Sequence, residues 1–119
     1  MNEDSAALGS PADFFAALDH LAQTIDARAT GDADASYTAK LLQKGPPKCA
    51  KKLGEEAVEL ALALVSEADD AVASEAADVL YHFMVALRSR GVSLDQVGAA
   101  LAARQAQSGL AEKASRPKD

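Results

Sequence analysis

The sequence predicts an all-α fold: a small helical bundle around a central antiparallel helix hairpin, and one that dimerises. Three observations carry the fold class. Hydrophobic residues make up 49% of the chain, yet aromatics make up 4% and tryptophan is absent, so the helix formers alanine and leucine supply the apolar content. Those apolar residues recur at spacings of three and four. Strand signals, such as Val/Ile/Thr alternation or an Asn-Gly turn, are missing. At 119 residues the chain is one domain with one core, read as a domain over residues 1–107 followed by a polar tail over 108–119.

The first helix opens at "SPAD", where Ser10 is placed to cap, Pro11 takes the first helical position and Asp13 follows three residues on. Phe14, Leu18, Leu21 and Ile25 then form its apolar stripe, and "ATGDADAS" ends it. A short helix starts at Ser36 in "SYTAKLL" and is stopped by Gly45-Pro46-Pro47. A long helix follows from about 47 to 66, with Leu53, Ala57, Leu60, Ala61 and Leu64 as its expected core stripe. After the short connection "SEADD", a second long helix runs from about 71 to 90, with Val72, Ala76, Leu80, Phe83 and Leu87 inward, and Gly91 closes it. Ser93-Leu94-Asp95-Gln96 reads as a capping box for a last helix through about 105. Residues 79–87 are apolar almost all round, broken only by His82. A helix apolar on every side is buried on every side, and a chain this small has few helices to cover it; hence the expected homodimer.

Charge narrows the function classes. Net charge is −6, a poor general footing for nucleic-acid binding. No apolar run approaches the roughly 18 residues of a membrane span. The opening "MNEDSAALGS" lacks the layout of a signal peptide, and the single cysteine, Cys49, fits a reducing cytoplasm and a small core residue. The expectation is a cytoplasmic protein with neither a nucleic-acid nor a membrane partner. Residues 37–54 carry five lysines and no acid, while residues 55–78 carry eight acids and no base. A lysine block beside a carboxylate block suits an anion that arrives with a metal cation.

At about 100° per residue, Glu56 and Glu59 lie at about 300° and 240° from Leu53, and Glu75 and Asp78 lie at the same angles from Val72. A short connection makes the two helices antiparallel, and equal offsets then bring both acidic stripes to one side of the pair. Levels across a hairpin pair Glu59 with Glu75, Glu56 with Asp78 and Lys52 with His82. Four carboxylates between axes about 8–10 Å apart repel unless their pKa values rise or a cation binds. An all-oxygen donor set favours Mg²⁺ or Mn²⁺ over zinc, and Lys48 and Lys52 extend the stripe with positive charge, as a polyphosphate requires. For His82, a packing role and a catalytic role are both open.

The pattern Glu55-Glu56-x-x-Glu59, then Glu75-x-x-Asp78, resembles the all-α nucleoside triphosphate pyrophosphohydrolases, the superfamily of MazG-like enzymes and dimeric dUTPases. Longer stretches are similar to the phosphoribosyl-ATP pyrophosphohydrolase branch: residues 36–60, "EAADVLYHFMVAL", "RGVSLDQV" and "SGLAEKASR". The resemblance spans residues 12–116. It implies that Glu56, Glu59, Glu75 and Asp78 hold the metal, and that Glu55 lies behind them orienting water. It implies that Lys48 and Lys52, with Lys40, Lys44, Lys113 and Arg116, meet phosphates. The implied reaction is hydrolysis of 1-(5-phosphoribosyl)-ATP to 1-(5-phosphoribosyl)-AMP and pyrophosphate, the second step of histidine biosynthesis. There Glu55 or Glu59 would take a proton from metal-bound water, and lysines would stabilise the departing pyrophosphate. Cys49 stands where the family pattern suggests an aliphatic residue. With two histidines, one cysteine and no zinc-binding segment, the cyclohydrolase step that follows is expected from a separate protein. Two other readings stay open on the residues alone: a housecleaning pyrophosphohydrolase of ordinary or damaged dNTPs, and a metal-binding helical module without catalysis. The tail is expected to order over bound substrate.

Overall fold

The computed structural model describes residues 11–107, 113–114 and 116–117. Five helices follow in chain order: α1 (Pro11–Arg28), α2 (Tyr37–Lys44), α3 (Pro46–Ser66), α4 (Asp69–Arg90) and α5 (Leu94–Gln105), with no strand among the described residues. The expected Ser10 cap and most of the tail lie outside those residues.

Local chemistry sets the boundaries. The Ser36 hydroxyl accepts the Ala39 amide at 3.2 Å and so satisfies a free donor at the start of α2. Gly45 ends α2 at φ +87°, a conformation that disfavours any residue with a Cβ. Pro46 then opens α3, where its missing N–H costs nothing. Asp69 and Asp70 lie in the first turn of α4, beside the positive end of its dipole, and they start that helix two residues earlier than its apolar pattern does. At the far end Gly91 adopts the left-handed conformation and returns its N–H to Arg88. The Ser93/Gln96 capping box on α5 is formed in both directions.

Only Glu67 and Ala68 separate α3 from α4, so the chain turns straight back, and these two helices share the most extensive contact in the molecule. Helix α2 packs across both, and α1 leans on α2 and α4. The core gathers Ile25, Leu41, Cys49, Met84 and Val85. Cys49 is buried as expected, its Sγ donating to the Leu41 carbonyl at 3.3 Å. Phe14, placed by periodicity on the core stripe of α1, is exposed, because α1 reaches the core only from Leu18 onward.

The expected core stripe of α3 needs correction. Leu53 and Leu60 are half-buried, but Ala57, Ala61 and Leu64 are exposed, and the fully buried positions are Cys49 and Ala63. The face that α3 turns to α4 is rotated by roughly 80° from the apolar stripe, which places Glu56 inside the contact face. The stripe left outside includes Val58, Leu62, Leu64 and Val65. In contrast, residues 79–87 of α4 are all buried or half-buried within the one chain.

Candidate active site

The rotation of α3 brings three carboxylates together. One oxygen each from Glu56, Glu75 and Asp78 lies within 4.8 Å of the others. Glu56 comes from α3, and Glu75 and Asp78 lie one turn apart on α4. The Glu56 side chain is 13% exposed, and Oε1 of Glu75 is a buried oxygen with no hydrogen-bond partner among the described residues. An unpartnered buried oxygen is costly. Desolvation first, then the charges of Glu59, Asp78 and Glu56, push the Glu75 carboxyl above its ordinary pKa. Hard oxygen donors, close spacing and one unsatisfied atom fit a divalent cation of the Mg²⁺ type. Glu59 is exposed and outside the trio, although its charge is among those acting on Glu75.

Positive charge borders the trio on the N-terminal side of α3. The Lys52 ammonium stands 3.3 Å from Glu55 and 4.0 Å from Glu56. Its pKa is raised, first by the bond to Glu55 and next by the Tyr37 phenol nearby. Lys48 is half-buried on the same helix, Lys40 and Lys44 lie exposed on α2, and Lys113 and Arg116 are exposed in the tail. The structure therefore brings Lys52, Glu55 and Glu56 into direct contact and leaves Lys40, Lys44, Lys113 and Arg116 exposed.

Sequence reasoning set His82 level with Lys52 but missed the two tyrosines that pack around it. His82 is buried, its Nδ1 has no partner among the described residues, and burial holds its pKa below the ordinary value. Tyr81 meets it at 4.9 Å and Tyr37 at 6.2 Å, both edge-on. The Thr38 and Tyr81 hydroxyls share a hydrogen bond of 2.6 Å that fastens α2 to α4. A signal was available: these are the only two tyrosines in an aromatic-poor chain. A separate cavity of about 410 Å³ between α1, the end of α4 and the start of α5 contains none of the three carboxylates. Its Asp26 is already bonded to Arg88 at 2.9 Å.

Residues 18–105 match the family model described as phosphoribosyl-ATP pyrophosphohydrolase. The chain is 57% identical over 102 residues to phosphoribosyl-ATP pyrophosphatase 1 of Rhodopseudomonas palustris, covering 86% of this chain and 95% of that one. It is 58% identical over 101 residues to the phosphoribosyl-ATP pyrophosphatase of Ruegeria pomeroyi, covering 85% and 96%. The counterpart in a Caulobacter species is 56% identical over 103 residues, covering 87% and 95%.

Proposed function

The chain belongs to the phosphoribosyl-ATP pyrophosphohydrolase family, and from that membership we propose that it cleaves its substrate at the Glu56/Glu75/Asp78 cluster with Mg²⁺ or Mn²⁺ bound there. It is a hydrolase that converts phosphoribosyl-ATP to phosphoribosyl-AMP and pyrophosphate, a step of histidine biosynthesis. The observation that carries the choice of site is the close approach of three carboxylate oxygens from two helices, one of them buried without a partner. Pyrophosphate release from a panel containing phosphoribosyl-ATP, ATP and dNTPs tests it. Preference for an ordinary dNTP would favour the housecleaning reading instead.

In this reading Glu56, Glu75 and Asp78 would hold the ion, with Glu59, whose charge also acts on Glu75, beside them. The bound ion would offset phosphate charge and make a coordinated water more acidic. Of the two acids able to accept that water's proton, Glu55 is engaged by Lys52, which favours Glu59 as the base. Lys52 and Lys48, with Lys40 and Lys44 from α2, would neutralise the departing pyrophosphate. The Lys113 and Arg116 side chains would reach phosphates when the tail closes over substrate. Deleting residues 108–119 should then lower kcat/KM for phosphoribosyl-ATP about tenfold or more, roughly 1.4 kcal/mol, while leaving the helical signal intact. Unchanged kinetics would detach the tail from the reaction.

The protein works as a homodimer in the cytoplasm. Val58, Leu62 and Val65 form one apolar stripe on the outside of α3, with Val65 81% exposed, and α5 has no buried residue although it presents Leu94 and Leu101. The radius of gyration is 16.7 Å, where a compact chain of this length has about 13.5 Å. A second copy would cover these faces. Light scattering at micromolar concentration should give about twice the 12.3 kDa chain mass, and Leu62→Glu should shift it towards the monomer. A wild-type monomer at that concentration would defeat the dimer. Among the described residues no helix is long and apolar enough to cross a membrane.

A further inference from the structure

Tyr37 is the first residue of α2 and stands against His82 of α4. It remains 52% exposed. Its ring is stacked on Tyr81, with centroids 6.4 Å apart and planes 20° from parallel, and His82 meets it nearly at a right angle. Tyr81 in turn is tied by its hydroxyl to Thr38, and His82 is fixed by burial. Tyr37 therefore presents a large ring whose backing is already immobile, so little side-chain entropy is left to lose when something docks on it. His82, which the ring meets at 6.2 Å, lies one turn beyond Asp78 on α4, and Lys52, on which the Tyr37 phenol also acts, is 4.0 Å from Glu56. An exposed aromatic ring therefore stands beside the cation and the carboxylate cluster.

A nucleoside triphosphate likewise joins a flat base, through its ribose, to a cleavable anhydride flanked by anionic oxygens. Resting on the functional reading above, we propose that the exposed ring of Tyr37 is the platform on which the purine of phosphoribosyl-ATP stacks, and that it sets selectivity for that purine over the unmodified one. Alkylation at N1 uses the ring lone pair, so the substituted adenine carries positive charge whenever its exocyclic nitrogen is protonated, whereas adenine in ATP stays neutral. Every aromatic face accepts a base by stacking; an electron-rich phenol adds attraction for a cationic one. Tyr37 thus gains more from the N1-substituted ring than from ATP.

The experiment compares wild type, Tyr37→Leu, Tyr37→Phe and Tyr37→Trp by steady-state kinetics on phosphoribosyl-ATP, together with inhibition by pyrophosphate, a product without a base. Tyr37→Leu should raise KM by roughly tenfold to a hundredfold, the range of a lost base–aromatic stack, with kcat changed by less than about threefold. Tyr37→Phe and Tyr37→Trp, which keep a ring, should restore KM to within about threefold of wild type. Inhibition by pyrophosphate should be the same in all four proteins, a result that general damage to the site would not give. Equal KM in Tyr37→Leu and Tyr37→Trp, weakened pyrophosphate binding in step with KM, or a Tyr37→Phe protein as poor as Tyr37→Leu would each overturn the platform. A wild type inert towards phosphoribosyl-ATP would overturn the functional reading as well; an active wild type with an unaffected Tyr37→Leu overturns the platform alone.

Discussion

Glu56→Gln, Glu75→Gln and Asp78→Asn proteins are expected to fold and to hydrolyse phosphoribosyl-ATP at no more than about a hundredth of the wild-type kcat, the scale of losing one preorganised charge contact at a reacting centre. Each substitution keeps the shape of a side chain and removes one negative charge from a trio whose oxygens lie within 4.8 Å of one another. None of the three belongs to the apolar core, so these exchanges leave its packing untouched. Glu75 should show the reverse effect on stability. Desolvation, followed by the charges of Glu59, Asp78 and Glu56, raises its folded pKa above the ordinary 4.5. A carboxyl that binds its proton more tightly when folded favours the fold fully below the ordinary value, and that contribution is lost as pH rises through the raised one. In EDTA at pH 8, Glu75→Gln should therefore unfold at a higher temperature than wild type, with the gap narrowing towards pH 4. Near-normal turnover in any of the three would remove that residue from the ligand set. A lower unfolding temperature for Glu75→Gln under those conditions would remove the account of repulsion.

Chelation should have the larger effect. In excess EDTA turnover is expected to fall to background and to return on adding Mg²⁺ or Mn²⁺. Zinc should restore it poorly, since the clustered donors are all oxygen. Binding should also be visible without substrate. A ligand at a hundred times its dissociation constant adds about 2.7 kcal/mol to a fold that binds it only when native, and the cation should raise the unfolding temperature of wild type far more than that of Asp78→Asn. Full activity in EDTA would end the metal-dependent mechanism, and equal thermal shifts in the two proteins would place the ion elsewhere.

Much of the fold was legible because its punctuation is local. Ser36, Gly45, Gly91 and the Ser93/Gln96 pair each act within one turn of chain, so their chemistry can be read without knowing what packs where. The convergence of Glu56 with Glu75 and Asp78 was legible for a related reason: a two-residue link leaves the level of one helix against the other little freedom. The face of α3 was not. Periodicity finds an apolar stripe but does not say whether its own chain or a second copy covers it, and here the stripe through Ala57, Ala61 and Leu64 points outward. Glu59, grouped with the other three by angle, is exposed and lies outside the trio. The meeting of Tyr37 with Tyr81 joins residues more than forty positions apart, and no pattern within either helix announces it.

The two-residue link between α3 and α4 has a consequence for how a gene of this kind can change over generations. Inside either helix, one codon inserted or lost between Glu56 and Asp78 turns one set of carboxylates about 100° away from the other. The connection itself has too few residues to absorb the slip. Point substitutions over that stretch can accumulate one at a time, but a change of length must fail at once. The segment over residues 29–36, which only joins α1 to α2 and contributes nothing to the cluster, is under no such constraint. Aligned copies from distant lineages should therefore show gaps there and none between the ligands.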